Sequence, residues 1–316
     1  MSHAEPGTRH GARPPLTPMT GDGAKGPWTV LRLIRWSTEY LQEKGVESPR
    51  LDAEHLLAHA LGTSRLQLYL QFDRPLTPEE LDLFRPFLRR RAGREPLQYI
   101  VGRTPFRELE LRTDPRALIP RPETELLVDK VLAWSRGREG LTAVDVGTGT
   151  GCIALSLLKE GPFTRVWGVD LSPDALELAR TNAGGLAEGE GLTLVVGDGL
   201  AALPREVRVD VVVSNPPYVR DDEGSDLQPE IWEHEPHLAL LGGADGLAVI
   251  RRLVADAPGR LAPGGLLALE VGMEQGPAVL ELVAATGDLT DAALHRDLAG
   301  KPRIVTAVRR ESGAAH

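Results

Sequence analysis

The fold of this chain is decided by the stretch Ala143-Val144-Asp145-Val146-Gly147-Thr148-Gly149-Thr150-Gly151, which runs directly into the apolar segment Cys152-Ile153-Ala154-Leu155-Ser156-Leu157-Leu158. Its first four residues predict a strand, and the apolar segment predicts a helix. Glycines in the turn let the backbone approach a ligand closely, and the amino end of a helix offers unpaired N–H groups. The stretch therefore predicts a nucleotide-type binding loop over residues 147–151, at the edge of a sheet.

A second strand follows at the distance expected for such a site. Residues Val166-Trp167-Gly168-Val169 predict a strand that ends in Asp170, roughly twenty residues after the glycine loop. A carboxylate at that place suits a ribose diol, so Asp170 is a candidate cofactor-binding residue. A third strand, residues 192–196, leads into Gly197-Asp198-Gly199 beside the same crevice.

The most specific chemical motif is Asn215-Pro216-Pro217-Tyr218, which follows the strand Val211-Val212-Val213. A planar NH2 group offers two N–H bonds, and the Asn215 side-chain oxygen and the Pro216 carbonyl are suitable acceptors for both. The Tyr218 ring suits stacking on the flat face of the same group. Residues 215–218 are therefore candidate substrate-binding residues, with Asn215, Pro216 and Tyr218 in the catalytic role. These four residues equally suit a rigid loop after a strand, and the motif alone leaves both interpretations open.

The spacing of the glycines separates two kinds of cofactor. A dinucleotide fingerprint G-x-G-x-x-G would place its third glycine at Cys152, whereas this loop has the spacing G-x-G-x-G. The compact turn, with the acidic Asp145 two residues before it, resembles the S-adenosylmethionine loop of class I methyltransferases. That resemblance implies contact of Asp198 with the adenine amino group, with a loop-capping aspartate as the alternative, and a cofactor role for Asn215. It includes Gly199 among the cofactor-binding residues, although Gly199 puts no side chain over the adenine.

Composition limits the classes of partner. The 316 residues carry 36 Lys and Arg against 45 Asp and Glu, a formal net charge of −9, which argues against a broad phosphate-binding face and a stable nucleic-acid partner. A basic run at residues 89–91, with Arg94 just beyond, favours a solvated helix face over a local contact with RNA or an acidic partner. The single cysteine, Cys152, permits no internal disulfide and suits a reducing compartment, here the cytoplasm. Without a signal peptide or an apolar run of about 18 residues, no membrane association is expected.

Residues 28–103 show helical periodicity and predict a small helical bundle. One helix start is well marked, with Thr77 as N-cap, Pro78 at the first position and Glu80 at the third. His55 and His59 have metal-ligand spacing, but no further ligand accompanies them, so packing or surface histidines are favoured and no metal is expected. Residues 1–27 are rich in Gly and Pro and predict a disordered tail.

Two segments connect this bundle to the glycine loop. Residues 105–111 alternate apolar and charged side chains, which suggests one strand of a hairpin. Residues 118–125, Leu-Ile-Pro-Arg-Pro-Glu-Thr-Glu, then lead into a helix and should cross near the cofactor crevice. Arg121, Glu123 and Glu125 are candidates for anchoring the methionine end of the cofactor or a partner protein, and capping of the linker is an equally open alternative.

Taken together, these segments resemble the PrmC/HemK family of glutamine N5-methyltransferases. The resemblance covers nearly everything after the tail and rests on motifs at residues 48–54, 95–100, 118–125, 147–151, 214–218, 235–247 and 297–303. It implies methyl transfer from S-adenosylmethionine, with S-adenosylhomocysteine as product, to the glutamine of the Gly-Gly-Gln loop of peptide chain release factors. The motif at 215–218 is shared with adenine-N6 methyltransferases, so an amino-methyltransferase acting on adenine or guanine is the alternative, and a non-catalytic cofactor-binding protein is a further one.

The expected architecture is α/β: a class I, Rossmann-like methyltransferase with a seven-stranded sheet, a small N-terminal helical bundle and a β-hairpin linker. We expect the bundle, a substrate-recognition domain, over residues 28–103, the hairpin linker over 104–122, the methyltransferase domain over 123–310, and a short tail over 311–316. The fifth strand is predicted at 266–270 and the last two at 291–296 and 303–308. The protein is expected to be a monomer.

Overall fold

The computed structural model describes residues 26–311. The chain divides into two compact units, with the boundary between Ile100 and Val101. The two predicted tails, residues 1–27 and 311–316, lie outside the described residues except for residues 26, 27 and 311.

The first unit is helical, as the periodicity predicts. Its helices are α1 (Val30–Glu43), α2 (Pro49–Ala60), α3 (Arg65–Leu70), α4 (Pro78–Ala92) and α5 (Leu97–Val101). The predicted start of α4 is confirmed, because the Thr77 hydroxyl accepts from the Glu80 N–H and the Glu80 side chain accepts from the Thr77 N–H at 2.9 Å. His59 packs edge-on against Phe87 with a ring separation of 4.8 Å, and the described residues contain no cluster of potential metal ligands.

The second unit opens with a hairpin and continues as alternating strands and helices. The hairpin pairs β1 (Arg103–Phe106) with β2 (Leu109–Arg112), so the prediction of a single strand over residues 105–111 is wrong, because the turn at residues 107–108 divides that segment between the two strands. The following elements are α6 (Pro122–Ser135), β3 (Leu141–Val146), α7 (Cys152–Glu160), β4 (Phe163–Asp170), α8 (Pro173–Ala183), β5 (Leu192–Val196), β6 (Val209–Ser214), α9 (Pro229–Trp232), α10 (Ala248–Asp256), β7 (Leu261–Glu270), α11 (Gly276–Thr286), β8 (Leu289–Arg296) and β9 (Pro302–Arg309).

The seven strands β3–β9 form one sheet in the order β5-β4-β3-β6-β7-β9-β8. Strand β9 runs antiparallel to both of its neighbours, β7 and β8, so the predicted seven-stranded sheet with a terminal antiparallel hairpin is confirmed. Successive valines Val211, Val212 and Val213 are fully buried, as expected for a strand covered on both faces. Strand order reverses between β3 and β6, which is the place where open α/β sheets bind ligands.

The β1–β2 hairpin is fixed to this second unit by polar contacts. The Asn182 side chain on α8 accepts from the Arg112 N–H at 2.8 Å, and its amide nitrogen donates to the Thr150 carbonyl at 2.9 Å. In the turn of the hairpin, the Arg107 guanidinium contacts Glu160 at 2.7 Å. The amide of Asn182 thus joins the hairpin to the glycine loop.

Strand β7 begins earlier than predicted. The prediction placed its start at Leu266, after Gly264 and Gly265, whereas the structure starts it at Leu261. The reason is an irregular register, in which Val209 pairs with Leu261 and Val211 pairs with Leu266. Among residues 26–311, no helix is long and apolar enough to cross a membrane.

Candidate active site

A cavity of about 280 Å³ lies at the carboxyl ends of the parallel strands, where the strand order reverses. Most of the predicted site residues line it: Gly147, Thr148, Gly149 and Thr150 after β3, Asp170 at the end of β4, Asp198 and Gly199 after β5, and Asn215, Pro216 and Pro217 after β6. Residues far apart in sequence therefore meet because parallel strands end at one edge of the sheet.

The glycine loop has a backbone that only glycine adopts easily. Gly147, Gly149 and Gly151 have φ values of 73°, 55° and 82°. A Cβ added to Gly147 would have a single neighbour within 4 Å, the Asn215 carbonyl oxygen at 3.9 Å, so it would project into the cavity. Gly151 differs, because it caps α7 and packs against Ala179 and does not line the cavity.

Asp145 fixes the glycine loop to the start of helix α7 by hydrogen bonds. Its side chain is fully buried, and Oδ2 accepts from the Thr148 hydroxyl at 2.7 Å and from the Ala154 N–H at 3.3 Å. Burial raises the pKa of Asp145 to about 7, against the lowering effect of these two donors. Its Oδ1 has no hydrogen-bond partner among the described residues.

Asp170 is a fixed carboxylate at the wall of the cavity. Its Oδ2 accepts from the Gly149 N–H and its Oδ1 from the Ser172 N–H, both at 2.9 Å. These bonds use one lone pair on each oxygen and leave others for a ligand hydroxyl. Asp170, the predicted acceptor for the ribose hydroxyls, is thereby hydrogen-bonded to the glycine loop.

Asp198 has a partner that the sequence did not indicate. The Arg252 guanidinium, on α10, donates to Asp198, and both side chains are about half exposed. Gly199 has a φ of 57°, and a Cβ added there would lie 3.5 Å from Arg252 Nη2. Arg252 also lines the cavity, so its side chain lies close to the space that a larger residue at position 199 would fill.

Asn215 and Tyr218 are placed differently from one another. Asn215 lines the cavity and is half buried, whereas Tyr218 does not line it and packs into the core of the second unit. Burial, followed by the nearby Glu270 carboxylate, raises the pKa of Tyr218 to about 12. The backbone of Tyr218 is held by Gln275, whose Nε2 donates to its carbonyl at 2.9 Å. The cavity wall thus brings together Asn215, Pro216 and Pro217 but leaves the Tyr218 ring out.

Residues 118–125 divide between the cavity and the hairpin. Arg121 lines the cavity and pairs with the buried Glu235, while Glu125 accepts from the Arg107 N–H at 3.0 Å and does not line it. Glu123 does not line the cavity either. Of these residues, Arg121 lies at the cavity, as the anchoring alternative requires, and Glu125 lies at the hairpin, as the linker alternative requires.

Two residues of the site were not singled out in the sequence. Thr124 is buried, lines the cavity and accepts from the Asn215 amide nitrogen, and it donates in turn to the buried Glu270. The signal for Glu270 was present, because a charged residue closes the apolar run Leu266–Leu269. Nothing in the sequence of residues 118–125 distinguishes Thr124 as a residue of the site.

Comparison with known proteins identifies the family. Residues 32–102 match the PrmC N-terminal domain, and residues 122–237 match the methyltransferase small domain. The chain is 44% identical over 279 residues to the release factor glutamine methyltransferase of Geobacter sulfurreducens, covering 88% of this chain and 96% of the relative. It is 43% identical to the enzyme of the same name from Moorella thermoacetica, covering 90% and 99%.

The chain belongs to the release factor glutamine methyltransferase family. A solved structure, the release factor-specific protein-(glutamine-N5) methyltransferase from Alicyclobacillus acidocaldarius, is 30% identical, covers 63% of this chain and 99% of that one, and has a TM-score of 0.39. Membership in this family makes the chain an S-adenosylmethionine-dependent methyltransferase and favours a glutamine over the nucleic-acid bases as acceptor. The predicted resemblance to the PrmC/HemK family is confirmed.

The cavity fits the cofactor of that family. Its wall contains a glycine loop with open space above Gly147, a fixed carboxylate at Asp170, and apolar side chains from Leu171 and Leu200. An adenosine with a short charged tail needs this combination of close backbone approach, diol acceptor and apolar wall.

Proposed function

We propose that this protein transfers a methyl group from S-adenosylmethionine to the side-chain amide nitrogen (N5) of the glutamine in the Gly-Gly-Gln loop of peptide chain release factors. S-adenosylhomocysteine is the other product, and no metal takes part. The observation that carries the proposal is the Asn215-Pro216 pair of acceptors on the wall of a cavity that suits this cofactor, in a chain of this family.

Several residues of the cavity would hold the cofactor. Gly147 and Gly149 leave room for close approach of the backbone, Asp170 would accept from the ribose hydroxyls, and Asp198 would accept from the adenine amino group. When bound, S-adenosylmethionine supplies an electrophilic methyl group on a positively charged sulfur. Thr148, Thr150 and Gly199 complete the wall around these positions, and Gly151 acts indirectly through α7.

Asn215 and Pro216 would orient a weak nucleophile, the amide nitrogen of the acceptor glutamine. The nitrogen lone pair of an amide is delocalised into its carbonyl, so it attacks only when it is held in line with the methyl group. Asn215 Oδ1 and the Pro216 carbonyl would accept the two N–H bonds, and orientation of this kind supplies several kcal/mol of barrier lowering. As the N–CH3 bond formed and the bond from the sulfur to the methyl group broke, the nitrogen would become more positive, both hydrogen bonds would strengthen, and the surplus proton would leave to water.

The remaining residues of the motif support this pair. Pro217 lines the cavity beside Pro216. Tyr218 lies outside the cavity and would act through the contact of its side chain with Glu270. We further propose that the protein works as a cytoplasmic monomer, with release factors as its protein partners and no stable nucleic-acid partner. The net charge of −9 supports the last point.

The test is a labelling experiment with three acceptors. The full-length protein is incubated with methyl-labelled S-adenosylmethionine and an intact release factor, the same factor with its loop glutamine replaced by alanine, or DNA and RNA. We expect label on the intact factor only. Label on nucleic acid, or label that survives replacement of the glutamine, would show that the acceptor is a different group.

A further inference from the structure

Thr124 stands between Asn215 and Glu270 in a chain of two hydrogen bonds. Asn215 Nδ2 donates to Thr124 Oγ1 at 3.0 Å, and Thr124 Oγ1 donates to Glu270 Oε2 at 2.7 Å. Thr124 is 2% exposed and Glu270 is 1% exposed. The three residues come from separate elements, since Thr124 lies in the first turn of α6, Glu270 ends β7, and Asn215 follows β6.

The direction of this chain follows from counting protons. A threonine hydroxyl has one proton, and an ionised carboxylate can only accept. Glu270 therefore accepts the hydrogen bond of the Thr124 hydroxyl, and Thr124 can bond to Asn215 only as an acceptor. The nitrogen of the Asn215 amide must then face Thr124, because its oxygen has no proton to offer.

The consequence lies on the other side of the amide. With Nδ2 facing Thr124, the Oδ1 atom is left to accept from a group in the cavity. A flipped amide would present its NH2 group to the NH2 group of an acceptor glutamine, and two donors repel each other. The orientation of the Asn215 amide therefore matters in addition to its presence.

We propose that Thr124 and Glu270 are positioning residues, which hold the Asn215 amide with Oδ1 toward the acceptor NH2 group. This inference rests on the function proposed for Asn215 above. Neither residue is assigned a chemical step: Thr124 touches Asn215, and Glu270 acts through Thr124.

The charge of Glu270 depends on its surroundings. Burial raises its pKa to about 7, and the donated bonds from Thr124 and Tyr218 act in the opposite direction. The charged and titratable groups that face it are Glu123 on α6, which raises the pKa further, Arg303 on β9, which lowers it, Tyr218 after β6, and the Cys152 thiol on α7. A protonated Glu270 becomes a donor, and Thr124 is then free to turn its own proton toward Asn215.

The sign of the pH effect follows. Above this pKa the Glu270 carboxylate is ionised and fixes the direction of the two hydrogen bonds. Below it, that direction is no longer fixed. Turnover is therefore expected to fall as the pH drops through about 7.

The experiment uses isosteric variants of the full-length protein. Thr124→Val removes the hydroxyl and keeps the shape, Thr124→Ser keeps the hydroxyl, and Glu270→Gln cannot ionise. The matched control is Thr142→Val, which removes a similar bond, from Thr142 Oγ1 to Asp210 Oδ2 at 3.0 Å, away from the cavity. Measurements are kcat and KM for the release factor between pH 6 and 8, and the dissociation constant of S-adenosylhomocysteine by calorimetry.

We expect Thr124→Val to lower kcat by about 10- to 100-fold with unchanged binding of S-adenosylhomocysteine, and Thr124→Ser to restore most of it. Glu270→Gln should abolish the decline of kcat below pH 7, and Thr142→Val should behave as wild type. The inference is overturned if Thr124→Val keeps wild-type kcat, if Thr124→Ser loses as much as Thr124→Val, or if Glu270→Gln keeps the wild-type pH profile.

Failure of the proposed function would look different. In that case the wild-type protein itself would leave the loop glutamine unlabelled. Normal labelling by the wild type together with normal kcat in Thr124→Val would reject the positioning role alone. A Thr124→Val protein that fails to fold, seen as loss of S-adenosylhomocysteine binding, also counts against the inference, because Thr124 would then be a structural residue.

Discussion

The Arg121 guanidinium donates to the carboxylate of Glu235, which lies 114 positions further along the chain. The same carboxylate accepts from the Ile119 N–H at 3.2 Å, and its side chain is 1% exposed, whereas that of Arg121 is 29% exposed. Ile119 and Arg121 line the cavity, and so does Pro236, the neighbour of Glu235. Glu235 therefore fixes two separate parts of the cavity wall to one another.

Removing Glu235 should destabilise the protein. Glu235→Ala leaves a buried N–H and a partly buried guanidinium without their acceptor, and we expect the free energy of unfolding to fall by about 2 kcal/mol, less than for a fully buried pair because Arg121 is partly exposed. Urea denaturation measures it. Asp222→Ala, which breaks the exposed Arg220–Asp222 pair, is the control and should leave the midpoint unchanged. Equal losses in both variants would contradict the structural role of Glu235.

Replacing Asn215 should separate catalysis from cofactor binding. Asn215→Ala removes an acceptor whose bond strengthens in the transition state, so kcat should fall by about 100- to 1000-fold. Affinity for S-adenosylhomocysteine should change by much less, because the glycine loop and Asp170 are left intact. Single-turnover methylation and calorimetry measure the two effects. Near-wild-type turnover would show that Asn215 does not orient the acceptor.

The two aspartates of the cavity should contribute unequally to cofactor binding. Asp170 is fixed by two backbone N–H groups, whereas Asp198 is half exposed and shared with Arg252. We expect Asp170→Ala to weaken binding of S-adenosylhomocysteine by about 100-fold, through loss of charge-assisted bonds to the ribose and of support for Gly149. For Asp198→Ala we expect a loss of only several-fold. Calorimetry measures the loss of affinity in both variants. A larger loss in Asp198→Ala than in Asp170→Ala would reject the roles given to the two aspartates.

The features that the sequence predicted are those with local causes. The glycine loop follows from the positive φ values of Gly147, Gly149 and Gly151, and the start of α4 follows from the hydrogen bonds of Thr77 with Glu80. The cavity at residues 215–217 follows from a strand ending at the ligand-binding edge of the sheet.

The features that it did not predict depend on contacts between distant residues. Thr124 and Glu270 are 146 positions apart, and Asp198 and Arg252 are 54 apart, so no local pattern joins them. The position of Tyr218 has the same origin, because its backbone is held by Gln275 and its hydroxyl lies near Glu270. A motif specifies which side chains follow a strand, but packing decides which of them turn into the cavity.

Asp145 should make the stability of the protein depend on pH. Its pKa is about 7 in the folded protein and about 3.9 in an unfolded chain. Between these values the unfolded state releases a proton that the folded state keeps, so rising pH favours unfolding. Stability should therefore be highest below about pH 4 as far as this group is concerned, and should fall by up to about 4 kcal/mol toward pH 7 and above. Glu270, whose pKa is also raised to about 7, acts in the same direction.

Asp145→Asn isolates the contribution of Asp145. The asparagine keeps an acceptor for Thr148 and Ala154 but does not ionise, so we expect a smaller loss of stability between pH 5 and pH 8 than in the wild type. Urea denaturation at the two pH values measures the difference. Ser135→Ala, which removes a buried hydroxyl bonded to the Leu132 carbonyl, is the control and should keep the wild-type pH dependence. If Asp145→Asn also keeps it, the buried carboxyl group does not titrate in this range, and a raised pKa of Asp145 is ruled out.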